Sequence, residues 1–213
     1  MSLGVSDIKV PDESLREPLE ALSLLDNDLA KAYLECGLPP VRSQELGFNG
    51  LIRMIISQQV SVQSASAILK RLLGQVSDIT PENILALDDE GMKAAGLSRP
   101  KQRYARALAS DVLEGRLNLE QLGELTDDEV VDHLIQAKGI GRWTCEVYLL
   151  FALKRPDVMP AADLALQEAM KHLKGLSDRP KPDEMYKLSE HWRPYRSAGA
   201  RFLWHYYRHA GIA

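Results

Sequence analysis

The residues best suited to chemistry lie in one run, Leu134-Ile135-Gln136-Ala137-Lys138-Gly139-Ile140-Gly141-Arg142-Trp143-Thr144-Cys145-Glu146. A helix begun at Thr126 is expected to run out at Lys138, and the next carries Trp143, Val147, Leu150, Phe151 and Lys154 at helical spacing. Glycines on either side of one apolar residue allow a turn that buries Ile140 and points the first N–H groups of the second helix outward. Such a helix end attracts anions through its dipole and its donors, so it can hold one phosphate without a lysine. A bare G-x-G is usually no more than a hairpin turn. Here Lys138 and Arg142 flank it and strengthen the phosphate reading. Further along, Asp163 precedes the apolar-periodic run Leu164, Leu166, Ala169, Met170 and Leu173, which makes it a helix N-cap worth about 1 kcal/mol. A helix amino terminus also favours the ionised form of that carboxylate.

Other chemistries fail on spacing. The dinucleotide fingerprint is not completed, because Thr144 stands where its third glycine belongs and a helix precedes the turn. The phosphate loop of nucleotide hydrolases, the H-E-x-x-H zinc helix and the H-x-E deaminase signature do not occur. Arg196-Ser197-Ala198-Gly199 lacks the first glycine of a nucleophile elbow. Cys36 and Cys145 stand too far apart to form a C-x-x-C pair, which excludes a thiolate zinc site and a four-cysteine iron–sulfur cluster. His133, His172, His191, His205 and His209 show no ligand spacing and read as surface or capping residues.

The elements that must position these residues read as helices throughout. No useful stretch alternates apolar and polar residues in the β manner, and helix punctuation recurs, so the fold is expected to be all-α with about ten short helices. Ser14 with Glu17, and Thr126 with Glu129, have the spacing of capping boxes; Thr80 before Pro81 marks a third start. Gly37, Gly74, Gly96, Gly115 and Gly175 close apolar-periodic stretches, as expected of residues with positive φ at helix ends. The 213 residues are 45% apolar and 26% charged, which suits one large globular domain or two small lobes. The formal charge of −4 excludes a histone-like coat of positive charge, so nucleic acid would have to be held locally, by the hairpin or by Arg193, Arg196, Arg201 and Arg208 in the closing stretch. Met1 to Glu13 is polar and has no apolar signal core, and Val147 to Leu153 is too short to cross a membrane. An intracellular protein is expected, cytoplasmic in a prokaryote or nuclear in a eukaryote.

Leu134 to Glu146 resembles the helix-hairpin-helix of the DNA glycosylases in which that motif is followed by a Gly/Pro-rich stretch and an aspartate. Three further segments continue the resemblance in order. Ile55-Ile56-Ser57-Gln58-Gln59-Val60-Ser61-Val62 is similar to the segment that fills the gap left by an extruded base. Met159-Pro160-Ala161-Ala162-Asp163 is similar to the conserved-aspartate segment. Trp192-Arg193-Pro194-Tyr195-Arg196-Ser197 with Trp204 resembles the closing helix of the alkylated-purine branch, the 3-methyladenine glycosylase II group. Together they cover residues from about 45 to 210.

The resemblance implies a two-lobed helical fold with DNA across the mouth of a cleft. One lobe is expected from residues 1–48 with 155–213, and a central bundle from 49–154 that ends in the hairpin 134–146. The additional mixed α/β domain carried by a bacterial relative is not expected ahead of Leu46. The implied function is hydrolysis of the N-glycosidic bond of alkylated purines in duplex DNA by base flipping, within base excision repair. Asp163 would be catalytic, and Trp143 and Trp204 would form the base pocket, where an aromatic face adds cation–π attraction for a charged base. Gln59 would fill the gap, in place of the apolar wedge of many alkylpurine enzymes. Gly139, Ile140, Gly141, Arg142, Thr144 and Arg196 would hold phosphates. Members that also cut the strand carry a lysine two residues after the second hairpin glycine; here that place holds Trp143, so no lyase activity is expected. Ala162 stands where some relatives have a second aspartate.

A methylated purine is already cationic and leaves neutral, so one carboxylate suffices to ease the charge on the sugar. The implied cofactor set is small: none required, no iron–sulfur cluster, and a monovalent cation, sodium or potassium, on the carbonyls of Ile135, Ala137 and Ile140. A monomer acting on duplex DNA, with no membrane partner, is expected. Two alternatives stay open on sequence: a non-catalytic hairpin module that binds damaged DNA, and a glycosylase for a neutral base such as uracil or hypoxanthine.

Overall fold

The computed structural model describes residues 10–42 and 44–212; most of the amino-terminal stretch read above for a secretion signal lies outside them. The described residues form twelve α-helices: α1 (Arg16–Leu25), α2 (Asn27–Cys36), α3 (Gly47–Ser57), α4 (Val62–Leu73), α5 (Pro81–Ala86), α6 (Asp89–Ala94), α7 (Arg99–Leu113), α8 (Asp127–Leu134), α9 (Arg142–Phe151), α10 (Leu164–Lys174), α11 (Pro182–Leu188) and α12 (Arg196–His209). Short 3-10 turns cover Glu13–Leu15, Glu120–Gly123 and Glu190–Trp192. The fold is all-α; among the described residues the β geometry is limited to an isolated bridge between Pro11 and Pro40. No described helix is long and apolar enough to cross a membrane.

The punctuation explains most boundaries. Thr126 and Glu129 form both halves of the capping box that starts α8, and Thr80 accepts from Asn83 N–H ahead of Pro81. Ser14 and Glu17 do not form the expected box: Asp12 caps the preceding 3-10 turn by accepting from Ser14 N–H, so the chain is already helical at Ser14. Gly37, Gly96, Gly115 and Gly175 take positive φ at helix ends as expected, whereas Gly74 ends α4 with φ −79° in ordinary right-handed geometry.

Two compact units result, Met1–Ser43 with Lys154–Ala213, and Gln44–Leu153. The first boundary precedes the expected 48/49. The Gln44 amide donates to Gly50 O at 3.2 Å, Glu45 pairs with Arg53 at 3.1 Å, and Glu45 O lies where a Cβ on Gly50 would stand, so residues 44–46 belong to the start of α3.

In the discontinuous unit, α1, α2, α10 and α12 pack around Leu19, Leu22, Leu29, Met170 and Phe202. In the central unit, α3 buries Leu51, Ile52, Met54, Ile55 and Ile56 against α4, α7 and α9. Leu46 offers α3 no cap; the buried Tyr148 hydroxyl of α9 instead accepts Gly47 N–H at 2.8 Å.

Candidate active site

Within the discontinuous unit, Asp163 starts α10 as its sequence predicts: Oδ1 accepts Leu166 N–H at 3.0 Å. The same oxygen accepts the indole N–H of Trp204 from α12 at 3.1 Å. Trp204 is thus a partner of the carboxylate as well as a candidate base-stacking surface, a pairing that sequence spacing does not disclose. Asp163 and Trp204 are both half-buried. Arg42 is close enough to feel the Asp163 charge; desolvation, then Arg208 and Arg201, push its guanidinium pKa down, and Asp163 opposes them.

The approach to Asp163 is held from several sides. Asp163 N–H donates to Pro160 O at 3.0 Å, and buried Gln167 donates to Ala161 O at 2.8 Å. The buried Ser197 hydroxyl donates to Arg155 O at 2.6 Å and accepts Val158 N–H at 2.9 Å. Ser197 is therefore a staple for the segment before Asp163. Polarity at buried positions is the only signal that sequence offers for Ser197 and Gln167.

Arg196, an expected phosphate ligand, is paired with Asp157 in the fold. Its Nε donates to Asp157 Oδ1 at 2.8 Å, its Nη2 to Asp157 Oδ2 at 2.9 Å and to Asp157 O at 2.8 Å, and its side chain is 11% exposed. A guanidinium clamped in this way fixes the 155–158 segment. Arg193 pairs with Asp157 and Glu190, and Arg201 pairs with Asp12. The closing stretch lacks acids in sequence, yet the fold brings acids to three of its four arginines. Arg208 stays exposed beside a hollow of about 220 Å³ lined by Leu38, Pro40, His205 and His209.

The central unit carries the hairpin. Helix α8 ends at Leu134, earlier than the expected Lys138, because the chain tightens into successive turns: Ala137 N–H bonds Leu134 O, and Ile140 N–H bonds Ala137 O, each at 3.1 Å. Gly139 takes φ +89°, and a Cβ there would run into the Tyr104 ring. Ile140 is buried as predicted, and Gly141 is the N-cap of α9, where it supplies no side-chain cap. Lys138 is exposed, and Trp143 is half-buried on the first turn of α9.

Two expected phosphate ligands also have partners within the chain. The Thr144 side chain is buried, and its hydroxyl accepts from the Gln58 amide at 3.4 Å. Exposed Arg142 pairs through Nε with buried Glu146 at 3.1 Å, neutralising that carboxylate. Gln59, the candidate gap filler, is exposed and holds φ +56° just beyond α3.

The carbonyls of Ile135, Ala137 and Ile140 have the chemistry of a hard-cation site, since such ions take oxygen ligands. Ala137 O accepts one hydrogen bond from Ile140 and retains a second lone pair. Among the described residues no group of three or more His, Cys, Asp or Glu is arranged to hold a metal ion. Burial raises the Cys145 thiol to about 12, which makes it a packing residue.

Comparison with known proteins agrees with this arrangement. Residues 52–194 match the HhH-GPD superfamily of base excision DNA repair proteins. The chain is 38% identical over 213 residues to DNA-3-methyladenine glycosylase 1 of Schizosaccharomyces pombe, covering 96% of this chain and 92% of that protein. It is 31% identical over 201 residues to the alkylbase DNA glycosidase-like protein mag2 of the same yeast, covering 91% and 94%. The solved structure of the Schizosaccharomyces pombe 3-methyladenine DNA glycosylase in complex with abasic DNA matches it with a TM-score of 0.81 at 35% identity, covering 88% of this chain and 95% of that one. With the hairpin, the capped aspartate and the helical architecture all in place, the chain belongs to the HhH-GPD superfamily of base excision DNA repair proteins.

Proposed function

We propose that the protein is a monofunctional DNA glycosylase that removes alkylated purines, such as 3-methyladenine and 7-methylguanine, from duplex DNA and leaves an abasic site. The observation that carries the reading is Asp163: a half-buried carboxylate at the start of α10, oriented by Leu166 N–H and Trp204 Nε1–H through one oxygen. A carboxylate oriented by such donors meets the need of glycosidic cleavage, an anion of fixed direction beside a sugar that becomes positive.

In this mechanism the bond between the sugar C1′ and the purine nitrogen breaks with its electron pair going to the base, which leaves neutral. Asp163 stabilises the oxocarbenium-like sugar and orients the water that adds to C1′; the water proton passes to the carboxylate or to solvent. No acid is needed for the leaving group. Trp204, which bonds Asp163, offers an aromatic face to an extruded cationic base, and Trp143 on α9 is the second stacking candidate that the resemblance implies. The turn at Gly139–Gly141 and the start of α9 hold a backbone phosphate, with Lys138 and Arg142 beside them. A sodium or potassium ion on the carbonyls of Ile135, Ala137 and Ile140 would stiffen that turn and add positive charge near the phosphate. With Trp143 where a lyase carries its lysine, the protein forms no Schiff base with the abasic sugar. It acts as a monomer inside the cell.

Methylated duplex DNA provides the test, with released bases separated by chromatography. Asp163→Asn is expected to keep DNA affinity and to lose release of 3-methyladenine and 7-methylguanine; equal release by the variant overturns the mechanism. A panel of oligonucleotides with uracil, hypoxanthine and alkylated purines fixes the substrate class, since a neutral base needs leaving-group donors that this scheme does not provide. Borohydride trapping on abasic DNA should give no covalent adduct.

A further inference from the structure

The candidate gap filler and the phosphate-binding turn lie far apart in sequence, and one side chain joins them. Gln58 is half-buried, and its Nε2 donates to Gly139 O at 3.0 Å and to the Thr144 hydroxyl at 3.4 Å. Gly139 has φ +89°, and the Tyr104 ring occupies the place where a Cβ would stand. On the other side, the Lys101 ammonium, 9% exposed, donates to Ile56 O at 2.6 Å, at the C-terminal end of α3 where a carbonyl has no helical partner. A cation is favoured at that pole of the helix dipole. The backbone on the α3 side of Gln59 is therefore tied at Ile56 and at Gln58.

Gln59 itself has positive φ, a conformation that costs a non-glycine residue about 1 kcal/mol and persists only where neighbours impose it. Around it, Met54 to Leu69 contains no charged side chain, and Val60 and Val62 are exposed, at 38% and 82%. An uncharged, partly apolar edge suits bases and sugars better than phosphates.

We infer that Gln58 is a positioning residue that couples the hairpin to base extrusion: by bonding Gly139 O and Thr144 it presets the strained turn that presents Gln59 to the DNA stack, with Lys101 fixing the same turn from the α3 side. The inference rests on Gln59 as the gap filler. Phosphate capture by the hairpin and insertion at Gln59 then occur as one rigid-body event.

The experiment compares Gln58→Leu, Gln58→Glu, Gln59→Ala and the double variant Gln58→Leu/Gln59→Ala in the full chain. The probe is a duplex with an abasic-site analogue and 2-aminopurine opposite it, whose fluorescence reports entry of a side chain into the stack. A matched undamaged duplex and thermal melting are measured alongside. Gln58→Leu and Gln59→Ala are each expected to lose about tenfold in preference for the abasic duplex, the worth of one well-made hydrogen bond or stacking contact. The double variant should be no worse than Gln59→Ala, because Gln58 acts through Gln59. Gln58→Glu keeps the size of the side chain but cannot donate to Gly139 O, and should match Gln58→Leu. Affinity for undamaged duplex should fall less than the abasic preference does, since Gln58 donates to Gly139 O and Thr144 Oγ1 and is not itself a phosphate donor.

A folded Gln58→Leu and Gln58→Glu that keep the abasic preference while Gln59→Ala loses it overturn the coupling and leave the gap filler standing. Additive losses in the double variant also overturn it. A Gln59→Ala protein with full preference and an unchanged fluorescence response sinks the gap-filler reading itself.

Discussion

Two aspartates of the discontinuous unit start helices and accept a tryptophan N–H, Asp26 at α2 and Asp163 at α10. Their surroundings differ. Asp26 is 3% exposed, and both of its oxygens are occupied: Oδ1 takes Asp28 N–H, Leu29 N–H and Lys174 Nζ, while Oδ2 takes Trp192 Nε1 at 2.7 Å and His191 Nε2 at 3.1 Å. Desolvation acts to raise its pKa, but the hydrogen bonds from Lys174, Trp192 and Leu29 outweigh it and hold the group at about 2. Asp163 keeps part of its surface in reach of solvent, and the nearby cation Arg42 feels its charge. The same cap-and-indole arrangement thus stands sealed at Asp26 and half-buried at Asp163, the proposed catalytic group. Burial and counter-charge, more than the motif, separate the two roles.

The largest expected effect falls on catalysis. Asp163→Asn should lower base excision roughly a thousandfold, measured by release of 7-methylguanine. Its melting point should hardly move, because asparagine caps a helix as well as aspartate does. A large stability loss in this variant would erase the contrast with Asp26.

The converse substitution, Asp26→Ala, should cost about 3 kcal/mol in urea unfolding, since it leaves the fully buried Trp192 N–H without its acceptor and takes from Lys174 one of its two carboxylate partners, the other being Asp28. Excision at low temperature should stay near wild type. A stable but inactive Asp26→Ala would show that this carboxylate is functional.

The pH dependence sharpens the same point. A carboxyl held at about 2 when folded and near 3.9 when unfolded contributes stability that is present above about pH 4 and is lost as pH falls toward 2. Wild type should lose about 2 kcal/mol from this group over that window, and Asp26→Asn should lack that part of the acid sensitivity.

The indoles should divide likewise, with smaller effects. Trp192→Phe removes a fully buried donor and should cost about 1–2 kcal/mol of stability. Trp204→Phe keeps an aromatic face but loses the N–H to Asp163, and should slow excision about fivefold to tenfold with KM little changed. Least of all, Arg196→Lys should lower stability by about 1 kcal/mol, and the slope of DNA affinity against salt should not change, because Arg196 serves Asp157.

Much of this was legible in the residues. Thr126-x-x-Glu129, Thr80-Pro81 and Asp163 are local devices that act within one helical turn, and each starts its predicted helix. The Gly139-Ile140-Gly141 hairpin was legible for the same reason, although the tightening after Leu134 was not, since it depends on hydrogen bonds a pattern of apolar residues does not encode. Ser14-x-x-Glu17 misled because Asp12, two residues earlier, competes for the same N–H. The ion pairs of the basic closing stretch were not legible because charge was counted along the chain, while Asp12 and Asp157 reach its arginines from remote positions.

By itself the sequence determined the helices, their caps, the order of hairpin and aspartate, and the family, because these follow from interactions between residues a few positions apart and from motif order. Tertiary structure alone decided which tryptophan meets which aspartate, which arginines are occupied, and that Gln58 bonds Gly139 and Thr144. Burial makes every enclosed polar group find a partner, and in a folded chain that partner comes from whichever element packs alongside, at no fixed distance in sequence.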